Sequence, residues 1–192
     1  RSLTSVNFTL GSLAFFANIK LTHKTTRAAN VVGTIKSGNR KYRDEYIVIG
    51  AHFDHLGMGG AGSGSRDPET RSTHPGADDN ASGVSGLLEL AQKLSAQKSR
   101  LKRSIVFIGF DAEEKGLLGS KHFIKNSTID INKITTMINM DMIGRMVDSS
   151  LTVGGVGTSP VFKTLLDSLK AERAFTLGMS NAGFGPSDHA SF

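Results

Sequence analysis

The chain has 192 residues, of which 38% are hydrophobic and 21% charged, a composition that suits one domain with a hydrophobic core and excludes a disordered chain. Because it contains no cysteine, disulfides and thiolate metal sites are excluded, and any metal must be bound by histidine and carboxylate side chains. The net charge of +6 would suit nucleic acid, but the densest basic run, 98–103, contains no aromatic residue, so we expect no nucleic-acid partner.

The first apolar segment, Leu10–Ile19, is too short to span a membrane and is interrupted by polar residues, so it is predicted to be a strand. No longer apolar stretch follows, and we expect no membrane span. Any targeting signal would lie upstream of Arg1. The compartment therefore stays open, with secretion or a periplasmic location among the options.

Strand and helix patterns then alternate along the chain. The run Tyr46–Phe53 is apolar without polar alternation, which predicts a strand buried on both faces. Residues 56–76 are rich in glycine and serine and are predicted to be an exposed, mobile loop. Apolar residues at helical spacing then predict a helix that begins near Asp79 or Asn80 and ends near Lys98.

The second half of the chain continues this alternation. Strands are predicted at Ser104–Phe110, Ile134–Met140 and Leu151–Val153, and helices at Gly116–Ile124 and Ser159–Leu169. Strands separated by helices predict an α/β fold, with a single domain built on a mostly parallel mixed sheet flanked by helices on both faces.

Acidic residues and a histidine follow the predicted strands, at the edge of the sheet where such folds bind ligands. The segments concerned are His52–His55, Asp78–Asn80, Asp111–Glu114 and Asn139–Asp141. Repulsion among so many carboxylates would be costly unless a cation lay between them. Imidazole and carboxylate donors suit a catalytic zinc ion, and this many carboxylates can hold two ions with one carboxylate bridging.

Each of these features has a simpler explanation when taken alone. The His-x-Asp pair could be a hydrogen-bonded surface pair. Asp78 and Asp79 could only cap a helix, and Glu113 and Glu114 could be an acidic first turn. Their joint placement at the ends of successive strands, on one side of the sheet, favours a shared metal site.

Five segments of the chain carry a family resemblance. They read HFDHLG at 52–57, GADDNASG at 76–83, FDAEEKGLLGS at 110–120, NMDMIG at 139–144 and SDHASF at 187–192. In this order they resemble the signatures of the dizinc aminopeptidases of clan MH, relatives of the glutamate carboxypeptidases and glutaminyl cyclases. The resemblance implies a zinc peptidase catalytic domain of the zinc-exopeptidase type over residues 1–192, incomplete at both ends, that removes N-terminal residues from peptide substrates.

The resemblance also implies a ligand set for two zinc ions. His52 and Asp141 would bind one ion, Glu114 would bind the other, and Asp79 would bridge them. In the family the second zinc takes a further histidine from a segment after the SDHASF signature. Because the chain ends at Phe192, we expect the second site to lack that ligand.

Two further residues receive catalytic roles from the resemblance. Glu113 would be the general base that takes a proton from the attacking water and delivers it to the leaving amine. Asp54 would orient the imidazole of His52, which raises its basicity as a ligand.

Three other histidines lie in or near these segments. His189 belongs to the substrate-pocket segment of the family pattern and is not expected to bind metal. For His55 we expect a hydrogen bond that anchors a loop, rather than metal ligation. His74 lies in the glycine-rich loop, where a fortuitous metal contact stays open.

Two other functions stay open beside the aminopeptidase. One is a dizinc dipeptidase or carboxypeptidase, for which Arg145 is a candidate to bind a free substrate carboxylate. The other is a binding module without activity, although such a module would have no use for Glu113 as a general base. Side-chain specificity and oligomeric state are not indicated by the sequence.

Overall fold

The computed structural model describes residues 11, 18–20, 25–170 and 175–192. Apart from Gly11, Asn18 and Ile19, the segment predicted as the first strand lies outside the described residues. Within these ranges, no helix combines the length and the apolar character that crossing a bilayer requires.

The core of the fold is a four-stranded sheet. Its strands are β1 (Val31–Ile35), β2 (Tyr46–His52), β3 (Ser104–Phe110) and β4 (Ile134–Asn139). They lie in the order β1-β3-β2-β4. Strand β2 runs parallel to β3 and β4, whereas β1 runs antiparallel to β3. The prediction of a mostly parallel mixed sheet is therefore confirmed, although β1 was not predicted.

A helix covers each face of this sheet. On one face α1 (Gly83–Ala96) contributes Leu87 to a buried cluster with Ile49 and Phe107. On the other face α2 (Leu118–Lys125) contributes Phe123 to a cluster with the alternate strand residues. Those strand residues are Val48, Val106, Ile108 and Phe110. Both faces of β2 and β3 are thus buried, as their continuous apolar sequences predict.

A second, two-stranded sheet follows. Strands β5 (Ser150–Val153) and β6 (Thr176–Met179) pair in parallel, and α3 (Pro160–Lys170) lies between them in the chain. The predicted strand at Leu151–Val153 and the predicted helix at Ser159–Leu169 correspond to β5 and α3. Strand β6 was not predicted.

The segment before α1 departs from the predicted helix. Residues Ala77–Ser82 form an irregular turn, in which Asp79 and Asn80 have non-helical backbone angles, and the regular helix begins only at Gly83. The side chains of this turn are therefore not arranged by helical periodicity. Their positions depend on contacts with the ends of β2 and β4, which form the site.

Candidate metal centre

The ends of β2 and β4 meet the turn before α1 at one edge of the sheet. There the Nε2 atom of His52 lies 3.3 Å from Oδ1 of Asp79 and 3.5 Å from Oδ1 of Asp141. The His52 side chain is 1% exposed, so these contacts form at the base of the site. We call His52, Asp79 and Asp141 the first donor group.

A second cluster of donors lies beside the first. The Nδ1 atom of His55 is 2.8 Å from Oε1 of Glu114 and 3.8 Å from Oδ2 of Asp79. We call His55, Asp79 and Glu114 the second donor group. Asp79 belongs to both groups and turns one carboxylate oxygen toward each, which is the arrangement that a bridging carboxylate requires.

The spacing of the first group and the chemistry of both groups fit divalent zinc. Within each group the three ligating atoms lie within 4.8 Å of one another. Two donors of a tetrahedral zinc ion, each about 2.0–2.2 Å from the metal, lie about 3.3–3.6 Å apart. The His52 contacts already have that separation, and all donors are imidazole nitrogens or carboxylate oxygens.

The electrostatics of the first donor group favour a positive charge. Burial favours the neutral imidazole of His52, but hydrogen bonds with Asp141 and Asp54 outweigh burial and raise its pKa to about 11. Burial likewise opposes the ionised form of Asp141, yet the contact with His52 holds the pKa of that carboxyl below its usual range. The carboxylates of Asp54 and Asp141 thus favour a positive charge beside them, which either a proton on His52 or a divalent cation can supply.

Asp54 connects the end of β2 to the turn after β3. Its carboxylate accepts hydrogen bonds from the backbone N–H groups of Glu113, at 2.9 Å, and Glu114, at 3.2 Å. Nδ1 of His52 lies 3.7 Å from this carboxylate, and 3.1 Å from the backbone oxygen of the same residue. Burial opposes the ionised carboxyl, but these hydrogen bonds lower the pKa of Asp54 overall. Asp54 therefore contacts both the imidazole and the glutamate pair.

Asn80 holds the turn before α1 against the end of β4. Its side chain is buried, and its Nδ2 donates a 3.0 Å hydrogen bond to the backbone oxygen of Met140. Its Oδ1 accepts from the backbone N–H groups of Gly83 and Met142, each at 3.1 Å. The sequence suggested only a helix cap for Asn80, and the contacts with Met140 and Met142 have no signal in the local pattern.

Glu113 lies in the turn that follows β3, directly after Ala112, whose φ of 57° is left-handed. Burial is the main cause that raises the pKa of Glu113 to about 7. His52 opposes this shift, whereas the carboxylates of Asp188 and Asp141 add to it. A carboxyl group with this pKa can accept and return a proton near neutral pH.

Asp188, in the last signature of the chain, is a buried residue whose importance the sequence did not indicate. Its side chain is fully buried, and neither carboxylate oxygen has a hydrogen-bond partner among the described residues. Burial raises its pKa to about 6, with the nearby Ser120 hydroxyl opposing the shift. The neighbouring His189 is in neither donor group found among the described residues.

A cavity of about 510 Å³ opens beside the second donor group. The glycine-rich loop contributes Ser65, Arg66 and His74 to its wall, and Asp79 and Glu114 also line it. Lys115, next to Glu114 in sequence, donates hydrogen bonds to two backbone oxygens of this loop, at 3.2 and 3.0 Å. The loop that was predicted to be exposed thus forms a wall of the candidate site.

Arg145, considered above as a group that could bind a substrate carboxylate, lies near an acidic side chain of the protein. Its Nε is 3.8 Å from Oδ2 of Asp78, and its side chain is largely exposed. Oδ1 of Asp78 also accepts a hydrogen bond from the backbone N–H of Gly144. Asp78 therefore positions the segment after β4 and belongs to neither donor group.

Comparisons with known proteins identify a matching family and similar structures. Residues 30–192 match peptidase family M28. Aminopeptidase YwaD of Bacillus subtilis is 31% identical over 180 residues, which is 92% of this chain and 36% of YwaD. Among solved structures, BSAP, a zinc aminopeptidase from Bacillus subtilis, aligns with a TM-score of 0.64 and 30% identity, over 85% of this chain and 36% of that one.

A second solved structure gives a similar result. The aminopeptidase from Aneurinibacillus sp. strain AM-1 aligns with a TM-score of 0.63 and 31% identity, over 84% of this chain and 35% of that one. The chain thus spans about a third of the length of these relatives. The family match over residues 30–192 includes the four-stranded sheet and the segments that form the two donor groups.

Proposed function

Because the chain belongs to peptidase family M28, we propose that it forms the metal centre of a zinc-dependent aminopeptidase that hydrolyses N-terminal residues from peptides. The observation that carries this proposal is the position of Asp79 between two donor groups, with one carboxylate oxygen facing each. A carboxylate with one oxygen facing each donor group can bridge two metal ions, whereas a surface hydrogen bond would need only one of these oxygens.

Two zinc ions are assigned to the centre in this proposal. His52, Asp141 and Asp79 would hold the first ion, and Glu114 and Asp79 would hold the second. Zinc, when bound, acts as a Lewis acid that polarises a carbonyl group and lowers the pKa of water. The protein contributes the fixed positions of the donors and the groups that orient them, chiefly Asp54.

Glu113 is the proposed general base. Its pKa of about 7 lets the carboxylate accept a proton from the attacking water and return it to the leaving amine at neutral pH. Its backbone N–H is held by Asp54, so the side chain projects from a fixed turn. Glu114, the next residue, contacts His55 and Asp79 and therefore takes the ligand role.

The cavity beside the second donor group is the proposed site for the substrate. The carboxylates of Asp79 and Glu114 line it, which suits the protonated amine of a peptide N-terminus. Arg145 lies 3.8 Å from Asp78, so the residue that would have favoured a carboxypeptidase has an acidic partner within the protein. We therefore retain the aminopeptidase.

The two adjacent glutamates provide the test. Glu113→Gln should bind the same amount of zinc as the unchanged chain but lose about 10²–10⁴-fold in kcat on leucine p-nitroanilide, because an amide cannot transfer the proton. Glu114→Gln should instead weaken zinc binding, with activity partly recovered at higher zinc. Glu89→Gln, at an exposed position on α1, is the matched control and should change neither quantity.

Two results would contradict the proposal. The first is near-normal kcat in Glu113→Gln together with unchanged zinc affinity in Glu114→Gln. The second is a zinc-loaded chain that does not hydrolyse aminoacyl anilides.

A further inference from the structure

We propose that His55 is a metal ligand, supplying a nitrogen donor to the second zinc ion alongside Asp79 and Glu114. This inference rests on the proposed two-metal function and extends it, because the resemblance assigns no metal to His55. It also revises the expectation that His55 only anchors a loop through a hydrogen bond.

The first argument is the spacing of the three donor atoms. Nδ1 of His55 lies 2.8 Å from Oε1 of Glu114 and 3.8 Å from Oδ2 of Asp79. These separations fall on either side of the roughly 3.3–3.6 Å expected between donors of a tetrahedral zinc ion. Adjustments of about half an ångström would bring both contacts to that value, which side-chain rotation can provide.

The second argument concerns the direction of Asp79. A hydrogen bond between His55 and Glu114 would account for the 2.8 Å contact by itself. It would not account for the second oxygen of Asp79, which faces the same imidazole nitrogen while its first oxygen faces His52. Three possible donors whose ligand atoms lie within 4.8 Å of one another favour a cation among them over a single hydrogen bond.

The third argument is that the imidazole is held in place. Gly76, at φ 64°, lies so close to His55 that a Cβ atom at position 76 would lie 3.0 Å from Cγ of the ring. A side chain at position 76 would therefore displace the histidine, and glycine is also the residue that tolerates this backbone angle best. The His55 side chain is 21% exposed, which leaves it accessible to an ion from the cavity.

The other histidine of this region is already engaged. His74 lies with its ring centroid 6.4 Å from that of His55. Its Nδ1 contacts the backbone oxygen of Ser72 and its Nε2 contacts the hydroxyl of Ser65, each at 3.0 Å. Both ring nitrogens have partners, so His74 supports the loop and is not a donor in the second group.

Ligation through Nδ1 requires the imidazole proton to be on Nε2. In the metal-free protein, Nδ1 can donate its hydrogen to Glu114. For zinc to bind, the neutral imidazole would exchange its hydrogen from Nδ1 to Nε2 through solvent, so that the Nδ1 lone pair and the carboxylate of Glu114 could both face the ion. The imidazole keeps one hydrogen throughout, so this tautomer change releases no net proton.

Zinc titration of the full chain against a competing chelator tests the inference without relying on activity. We expect the unchanged chain to bind two equivalents. His55→Gln should weaken the second equivalent at least tenfold and leave the first unchanged. His122→Gln, at an exposed position on α2 and in neither donor group, should leave both unchanged, and His52→Gln should weaken the first equivalent.

Cobalt spectroscopy of a second variant provides an independent test that does not depend on His55→Gln folding. The chain contains no cysteine, so in His55→Cys any thiolate-to-cobalt charge-transfer absorption must come from position 55. We expect this absorption to appear with the second cobalt equivalent. Circular dichroism checks that each variant is folded.

The outcomes separate the inference from the proposed function. Folded His55→Gln that retains both equivalents at unchanged affinity, or His55→Cys that binds two cobalt ions without the charge-transfer absorption, would overturn the role of His55. If Glu114→Gln still lost the second equivalent in that case, the two-metal proposal would stand. Failure of the unchanged chain to bind any zinc would contradict the proposed function itself.

Discussion

Replacing Asn80 with alanine should weaken both the fold and the first donor group. The Asn80 side chain is 2% exposed and bonds to three backbone groups, on Met140, Met142 and Gly83. Two of these groups belong to the segment that carries Asp141. Without Asn80, the turn that carries Asp79 loses its side-chain hydrogen bonds to that segment.

The size of the effect follows from the hydrogen bonds. Three buried hydrogen bonds, each contributing ~1 kcal/mol net, predict a loss of ~3 kcal/mol in the free energy of unfolding. Groups that orient metal ligands typically affect metal affinity by about 10–100-fold, so we expect a similar loss in zinc affinity at the first donor group. The second equivalent should be less affected, because Asn80 makes no contact with His55 or Glu114 in the hydrogen bonds of the described residues.

Urea denaturation measures the free energy of unfolding, and chelator competition measures the zinc affinity of the first donor group. Asn126→Ala is the control, because Asn126 is exposed and its side chain hydrogen-bonds only with His122 among the described residues. The control should change stability by less than ~0.5 kcal/mol. If Asn80→Ala were as stable as Asn126→Ala and bound zinc with unchanged affinity, then Asn80 would not position Asp79 and our reasoning would be wrong.

Three further predictions concern the groups around the site. Asp54→Ala removes the carboxylate that accepts hydrogen bonds from the backbone N–H groups of Glu113 and Glu114. It should lower zinc affinity about 10–100-fold in chelator competition, and an unchanged affinity would contradict the role of Asp54 in positioning the site. Because the pKa of His52 is raised to about 11, zinc must displace its proton, so affinity at the first donor group should rise about tenfold per pH unit from about pH 6 to 8 and fall correspondingly as pH is lowered. Calorimetry in buffers of different ionisation enthalpy should detect the proton that His52 releases when zinc binds. A zinc affinity that does not change with pH would refute the displacement of this proton. Phe123→Ala should cost about 3–5 kcal/mol in urea denaturation, since Phe123 is buried in the core between α2 and the sheet, and a loss below ~1 kcal/mol would exclude that packing role.

Several features of the site could be predicted from short stretches of sequence. The apolar runs of β2 and β3 predict strands that are buried on both faces, and their carboxyl ends coincide in a parallel sheet. The shared position of these two strand ends is enough to bring His52, Asp111 and Glu114 toward one edge of the sheet. The signature motifs at the same positions led to the family, which the match over residues 30–192 confirmed.

Other elements of the fold were not apparent from the chain alone. Strand β1 pairs antiparallel with β3, where Val32 lies opposite Ile108, 76 residues further along the chain, and β6 is a strand of only four residues. Whether such a segment joins a sheet depends on the availability of a partner edge. Local propensity does not report that availability.

The arrangement of the donors was decided by tertiary structure. The sequence presents Asp79 and Asn80 as equivalent candidates for a helix cap, and His55 and His74 as two histidines near the same loop. Non-helical backbone angles in Ala77–Ser82 separate the first pair: Asp79 reaches both donor groups, and Asn80 bonds to Met140, 60 residues away. Residue types and their order determine which chemistry is available, but the direction of each side chain depends on contacts between distant segments, and those contacts form only when the sheet brings its strand ends together.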